Sequence, residues 1–293
     1  MPHLKEVIDR ITVIGSTKQI TQAMKMVSVS KLYKAQQRLS ALKAYMMACN
    51  SLLEATLVGR DGMRLLNPFP LKQQAGVQRL LLIVVTSDRG LCGAFNKNVL
   101  RTATQYIEPY SKHTSVEVLV IGKKAYQFFK KYKWPVIDRY MAISSSIQMK
   151  ESESLADYCI TGFEKDYYHK VVLIYNSFKN ASQQEVVVES LLPFIPDRWM
   201  AQPMVPAHHY LYEPDQQILM HKLMIRLLKH KVMTILVDSH TAEHAARVMT
   251  MGKASDNADD LLTTLRTSYN RSRQALITNA IAEITSGAEA LRG

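Results

Sequence analysis

The stretch Lys31–Leu53, KLYKAQQRLSALKAYMMACNSLL, decides how this chain folds. Leu32, Ala35, Leu39, Leu42, Met46, Cys49 and Leu53 recur at alternating steps of three and four. An apolar row with a period of about 3.5 residues keeps one narrow helix face turned toward a partner helix, so it marks a coiled-coil seam. Upstream, Leu4, Ile8, Ile11 and Ile14 read as one stripe, and Ile20, Met24 and Val27 as a second, offset one. The far end of the chain has the same texture. Met220, Met224, Leu228, Val232 and Ile235 make a stripe, and Ala258, Leu262, Leu265, Tyr269 and Leu276 make another. Ile277, Ile281, Ile284, Ala288 and Leu291 follow after a one-residue slip. The predicted seam therefore sets Leu32, Leu39, Leu42, Met46 and Leu53 against part of 232–276, including Leu262 and Leu265.

Proline falls where these helices do not. Of ten prolines, all but Pro2 lie between Pro68 and Pro214. Residues 3–67 and 215–293 thus lack the residue that disrupts a helix interior by about 3 kcal/mol. Helices over 4–57 and 216–291 would extend roughly 80 and 110 Å, so they must pair with each other or with a partner. The middle reads differently. Leu80–Val85, LLLIVV, is a continuous apolar run of the kind a parallel strand shows when both faces are covered. Val118–Ile121 and Val171–Ile174 repeat it, with helical patterns at about 94–110, 123–132 and 151–166. Strands alternating with helices predict βαβ units and a largely parallel sheet. Glu185–Glu189 reads as a further strand and Pro193–Pro214 as a loop. The fold class is α/β: an antiparallel coiled coil of long N- and C-terminal helices with an inserted Rossmann-like α/β domain. Its segments are 1–60, 76–214 and 215–293.

Composition excludes several classes. The 293 residues carry a formal charge of +12, with 47% hydrophobic and 21% charged residues, enough apolar surface for a real core. No run of about 18 uncharged apolar residues predicts a membrane span. The opening MPHLKE has no apolar stretch behind a basic one, and Glu6 and Asp9 come early, so neither a secretory nor a transit segment is expected. Three widely spaced cysteines, Cys49, Cys92 and Cys159, fit a reducing compartment better than a disulfide framework or a zinc ribbon.

Candidate chemistry is sparse. Thr86–Gly93, TSDRGLCG, stands between a buried strand and a helix, where phosphate loops often sit. It has neither the P-loop spacing nor the dinucleotide fingerprint, and a tight turn needing two glycines explains it better. Cys92 near a helix N-terminus lacks an obvious base and reads as a small buried thiol. His240 and His244 share a helical face, but with no third ligand apparent they read as packed or exposed imidazoles, and no metal site is predicted. From Arg10 to Leu53 there are seven bases (Arg10, Lys18, Lys25, Lys31, Lys34, Arg38, Lys43) and no acid. Such a one-signed stretch suits a polyanion or an acidic protein surface. A basic coiled-coil nucleic-acid-binding protein is therefore the alternative function, although only Tyr33 and Tyr45 interleave the bases.

Taken together, Ile20–Ser28 (ITQAMKMVS), Ser87–Gly93 (SDRGLCG) and Tyr269–Thr278 (YNRSRQALIT) resemble the gamma subunit of the F-type ATP synthase. Ala246–Met249, Ala254–Ala258 and the ending Gly287–Ala290 are also similar, so the resemblance covers nearly the whole chain in order. It implies a non-catalytic central rotor shaft that couples ion-driven rotation to the states of the catalytic beta subunits, and no cofactor. Implied partners are the ring of alpha and beta subunits, the epsilon subunit and the c-subunit ring, with no nucleic acid. The implied location is the cytoplasmic side of the inner membrane, peripheral and reached only through the complex. By the family pattern, Met24 and Lys25 lie near an acidic loop of beta, Arg273, Gln274 and Thr278 contact a loop that catches the rotor, and Arg247 is a further contact toward beta. Two departures stand out. The family usually has an acid two residues after the Thr, where this chain has Ala280, although Glu283 matches a later acid. Gly252 replaces a helix-favouring residue, and local bending is expected there. The cysteine-containing insertion of the plant chloroplast form is absent, so thiol switching is not implied. The tip stripe from Ile277 to Leu291 would suit turning within an apolar collar.

Overall fold

The computed structural model describes residues 2–57, 77–110, 114–137, 140–141, 147–193, 213 and 215–290. The expected Pro193–Pro214 loop lies almost wholly outside these residues, as does Leu291. The elements are α1 (Pro2–Leu57), β1 (Arg79–Val85), α2 (Phe95–Ile107), β2 (Ser115–Ile121), α3 (Lys123–Lys131), β3 (Val136–Ile137), α4 (Met149–Glu164), β4 (Lys170–Phe178), β5 (Gln184–Leu192) and α5 (Gln216–Ala290). They form two compact units, one of Met1–Val29 with Val248–Gly293, the other of Ser30–Arg247.

In the larger unit the sheet order is β3-β2-β1-β4-β5. The first four strands run parallel and β5 is antiparallel to β4. The central strand explains the layering. Leu80, Leu82 and Val84 point to one face, where Val99, Ala103 and Ile107 of α2 and Ala125 and Phe129 of α3 cover them. Leu81, Ile83 and Val85 point to the other, against Leu155, Cys159 and Phe163 of α4. That second core also takes in Leu53 of α1 and Met220, Met224, Leu228 and Val232 of α5. Two faces covered at once account for the unbroken apolar run at 80–85. β3 escaped the sequence reading because two residues after Pro135 are too short to show a period.

The seam of this unit uses an earlier part of α5 than the periodicity suggested. Leu39 packs with Met233 and Val237, Leu42 lies against that cluster, and Met46 and Cys49 border the core that holds Leu53 and Met220. The partner of 39–53 is thus the segment from Met220 to Val237. Leu32 is buried as well, in step with the same row.

The smaller unit holds an unexpected arrangement. Beside half-buried Gly15 and Met24, a row of covered positions runs along α1 through Leu4, Val7, Ile11, Ile14, Lys18, Thr21, Lys25 and Ser28. These continue the alternation of threes and fours, in frame with Leu32. The offset stripe of Ile20, Met24 and Val27 is not a seam: Ile20 is 60% exposed and Val27 57%, and only Met24 is half-buried. On α5 the covered row is Met251, Ser255, Ala258, Leu262, Leu265, Tyr269 and Ser272. Lys18 pairs with Asp259 at 2.5 Å, and the end of Lys25 lies 3.7–3.8 Å from where a β-carbon on Gly252 would stand. Those two meetings are seven residues apart on each helix and run in opposite senses, which fixes an antiparallel register. The same register brings Ile14, Ile11 and Val7 alongside Leu262, Leu265 and Tyr269. α5 continues through Gly252 as helix. Beyond Ser272, every described side chain to Ala288 is exposed, Ile284 at 72%.

One glycine is demanded by geometry. Gly122, at φ +92°, ends β2 where a β-carbon would stand 2.1 Å from the Thr86 carbonyl oxygen. We expect Gly122→Ala to destabilise the protein by about 3 kcal/mol or more. Urea unfolding of the full chain checks this, and a loss below about 1 kcal/mol would show that the turn is free to relax.

Candidate functional site

The polar groups of the larger unit converge where β1 ends. Thr86 donates its backbone N–H to the Ile121 carbonyl at 2.9 Å, and its hydroxyl accepts the N–H of Ala125 at 2.9 Å, capping the first turn of α3. The Asp88 carboxylate accepts the N–H of Lys123 at 3.0 Å, a second contact to this helix N-terminus that satisfies an otherwise orphaned donor. The amide of Asn96, in the first turn of α2, closes the loop back on itself. Its oxygen accepts the N–H of Ser87 at 3.0 Å, and its Nδ2 donates to the Cys92 sulfur at 3.2 Å. The Ser87 hydroxyl donates to the Arg89 carbonyl at 2.6 Å. Gly93 has φ +59°, and Leu91, not a glycine, has φ +62°. Only one of the two glycines is therefore needed for a left-handed backbone. Gly90 has open space where a β-carbon would stand.

α5 grips this turn from the side. Arg247 is 7% exposed, although the family pattern named it as a contact toward a partner. Its guanidinium bonds the Glu243 carboxylate at 2.6 Å and reaches the carbonyls of Arg89 and Gly90 at 3.4 Å each. Its other terminal nitrogen lies 3.4 Å from His244 Nδ1. Burial raises the Glu243 carboxyl, opposed by Arg247. Cys92 is buried and its thiol is pushed up by burial, so it stays protonated at neutral pH, a packed thiol rather than a nucleophile. The Thr86 and Ser87 amides, the Thr86 and Ser87 hydroxyls and the Asp88 carboxylate are all engaged within the chain. The turn binds its own chain.

His240 and His244 face each other with Nε2 atoms 3.2 Å apart, an arrangement that needs one N–H between them and so holds at least one ring neutral. Burial lowers His240 to about 4, aided by Lys31, Arg247 and Arg38. Burial lowers His244 to about 3, aided by His240, Arg247 and Lys31. Among the described residues no group of three or more His, Cys, Asp or Glu side chains is placed to hold a metal ion. Nearby, Asp238 ties α5 to the sheet: its carboxylate accepts the Ser177 hydroxyl at 2.7 Å and the Phe178 N–H at 3.0 Å.

The remaining sequence-predicted residues lie in the smaller unit. Met24 and Lys25 are half-buried, Lys25 across Gly252. Arg273, Gln274 and Thr278 are exposed, the Thr278 hydroxyl turned back to the Gln274 carbonyl at 2.9 Å. The structure therefore separates Arg247 from the rest of the predicted set. Sequence reading missed Glu243 and Asp238 as partners, and for Glu243 the signal was present: it stands four residues before Arg247, the spacing of a helical ion pair.

The buried pair and the two imidazoles make separate tests. Arg247→Ala strands the Glu243 carboxylate and should cost about 3–5 kcal/mol, while Arg247→Ala with Glu243→Ala recovers part of it; equal losses in denaturant melts would remove the coupling. Both imidazoles have native values below their ordinary 6.5, so the unfolded chain binds more protons below that pH. Stability is then full above pH 6.5 and falls as pH drops toward 4 and 3. His240→Gln with His244→Gln should flatten that fall by about 3–4 kcal/mol between pH 7 and pH 5. Parallel pH profiles for both proteins would refute it.

Against this geometry stand the comparisons with known proteins. The family model for ATP synthase matches residues 3–291. The ATP synthase gamma chain of Amoebophilus asiaticus is 39% identical over 297 residues, covering 99% of each chain. Those of Flavobacterium johnsoniae and Geobacter metallireducens are 39% and 35% identical, with all of both chains covered. Among solved structures, a chain of the Euglena gracilis mitochondrial ATP synthase (OSCP/F1/c-ring, rotational state 3) aligns with a TM-score of 0.66 at 18% identity, over 99% of this chain and 95% of that one. A chain of the same organism's rotor in rotational state 1 gives 0.61 at 17%, over 94% and 99%. At those identities the structures speak for the fold: long terminal helices around a largely parallel sheet. With the family model spanning residues 3–291 and full-length relatives at 35–39% identity, the chain belongs to the ATP synthase gamma-chain family.

Proposed function

We propose that this chain is the central rotor shaft of an F-type ATP synthase, turned by an ion-driven ring of c subunits and transmitting that rotation to the beta subunits. The observation that carries the reading is the antiparallel pair of α1 and α5 in the smaller unit, running into an α5 segment exposed on every side from Arg273 to Ala288. A helix with Leu276, Ile277, Ile281 and Ile284 open to solvent is complete only inside a partner. As a gamma chain it is a non-catalytic stalk subunit, and the ATP chemistry belongs to beta. The nucleic-acid alternative gains no support: Lys18 is held by Asp259 and Lys25 sits in the seam.

The finer reading assigns contacts. Lys25, Arg273, Gln274 and Thr278 are the polar groups that meet beta, with Met24 beside them. Arg247 acts one step back: it holds the carbonyls of Arg89 and Gly90, and the exposed Arg89 side chain is what the turn presents. The alpha subunits complete the surrounding ring, and epsilon and the c ring meet the larger unit. No described helix is long and apolar enough to cross a membrane. In this reading the subunit is peripheral, reached through the complex on the cytoplasmic side of the inner membrane.

Arg273→Ala with Gln274→Ala removes one charge-assisted and one neutral hydrogen-bonding group from an exposed helix, leaving the sheet untouched. ATP hydrolysis by the assembled complex should fall about tenfold or more. Unchanged turnover in intact complex would strike both from the contact set, and failure of the chain to co-purify with alpha and beta subunits would overturn the shaft reading itself.

A further inference from the structure

Charge in the larger unit is sorted by face. α2 and α3 lie together over Leu80, Leu82, Val84, Val118 and Val120. Over 95–107 and 123–133 there are seven bases (Lys97, Arg101, Lys123, Lys124, Lys130, Lys131, Lys133) and no acid. α4, across the sheet, carries Glu151, Glu153, Asp157 and Glu164 against Lys150 alone. Elsewhere in the unit several cations are matched: Lys229 with Asp157, Lys231 with Glu189, Lys179 with Glu185 and Arg247 with Glu243. Lys97, Arg101, Lys123, Lys124, Lys131 and Lys133 enter no ion pair among the described residues, and all but half-buried Lys124 are exposed. Aromatic rings stand among them. Tyr132 is 58% exposed, and Tyr126, Phe128 and Trp134 are half-buried.

We propose that the α2–α3 face of this chain associates with an anionic lipid surface. Charge complementarity selects an anion, and the kind of cation selects which one. Six of the seven bases are lysine. Specific recognition of carboxylates on a protein favours the planar fork of arginine, whereas lysines on flexible stems suit a diffuse layer of headgroup charge. Tyrosine and tryptophan at the rim match the level of the headgroups, where an amphipathic ring is at home. The mechanical argument agrees. A fluid leaflet has no angular landmarks, so attraction to it pulls along the membrane normal without a barrier to turning, which a stereospecific protein contact would impose. The inference takes from the shaft reading only which membrane is at hand. Vesicle binding is read on the chain itself and can fail while the shaft reading stands.

The test is sedimentation of the full chain with vesicles of 30% phosphatidylglycerol in phosphatidylcholine, and with phosphatidylcholine alone, at near-physiological salt. The chain should bind the first and not the second. Replacing Lys123, Lys131 and Lys133 by Gln should lower partitioning about a hundredfold, at roughly fivefold per lysine. The same charge removed from α1, with Lys5, Lys34 and Lys43 replaced by Gln, should change it only a few-fold. Circular dichroism confirms that both variants are folded. Equal losses in the two variants would mean that net charge alone attracts the chain, and would overturn the proposal. So would absence of binding to the anionic vesicles, or binding of the intact complex through this face to an acidic protein in place of lipid.

Discussion

The structure depends on one helical row. From Leu4 to Thr56, one row of covered positions on α1 keeps a single alternation of three and four, with no stutter. A strict seven-residue repeat on a helix of 3.6 residues per turn holds only if a partner follows it, and α5 supplies that partner in both compact units. What changes along the row is its chemistry. In the larger unit Leu39 packs with Met233 and Val237 of α5, and Leu53 enters a cluster that includes the sheet's own core residues. In the smaller unit the row turns polar, with Lys18, Thr21, Lys25 and Ser28 at seam positions.

That difference explains how much the sequence disclosed. Leu32 to Leu53 could be read because each seam position is apolar and the flanking ones mostly are not. Lys18 to Ser28 could not, because the eye follows apolar residues: Ile20, Met24 and Val27 offered a false stripe while the true row ran through lysines and hydroxyls. The clue was the frame itself, since counting back by sevens from Leu32 gives Lys25 and Lys18. The strands of the sheet were legible from their unbroken apolar runs. Arg247 was legible as important but not as buried. A guanidinium can be enclosed only where carbonyls and a carboxylate await it, and the carbonyls of Arg89 and Gly90 come from a turn far away in sequence.

The turn after β1 is where the larger unit is stitched together. Through Thr86 it caps α3, through Asn96 it closes on α2, and through Arg247 it is clamped by α5. Each bond is worth little alone, about 1 kcal/mol net, yet an unmatched buried donor or acceptor would cost more. The groups at this place are therefore all-or-none: Arg247 needs Glu243, and the lowered imidazoles of His240 and His244 need the low-dielectric setting the clamp maintains. This is why a loop in a position typical of phosphate sites has become a structural joint. Its polar side chains are bonded within the chain.

The polar stretch of the seam bears on what a two-helix shaft can be. Thr21 and Ser28 donate their hydroxyls to their own helix, at the carbonyls of Lys18 and Met24, so they add no bond across the pair. Lys25 lies over a glycine, its Nζ and Cε beside the place of the missing β-carbon, and enters no ion pair among the described residues. The Lys18–Asp259 contact is partly exposed, and such pairs contribute between nothing and about 1 kcal/mol. What it supplies is register, because a slip of one residue would part the two charges and set Lys25 against a side chain. Adhesion in this unit must then come from the apolar positions, Val7, Ile11 and Ile14 with Leu262 and Leu265. A seam that is sticky at one end and specified but weakly bound in the middle leaves the backbone of α1 around Lys25 and Met24 poorly anchored to α5. These are the residues the family pattern turns toward beta. Weak internal binding there means that a lysine can exchange its place over Gly252 for an external acid at small cost, whereas a fully apolar seam would have locked it in.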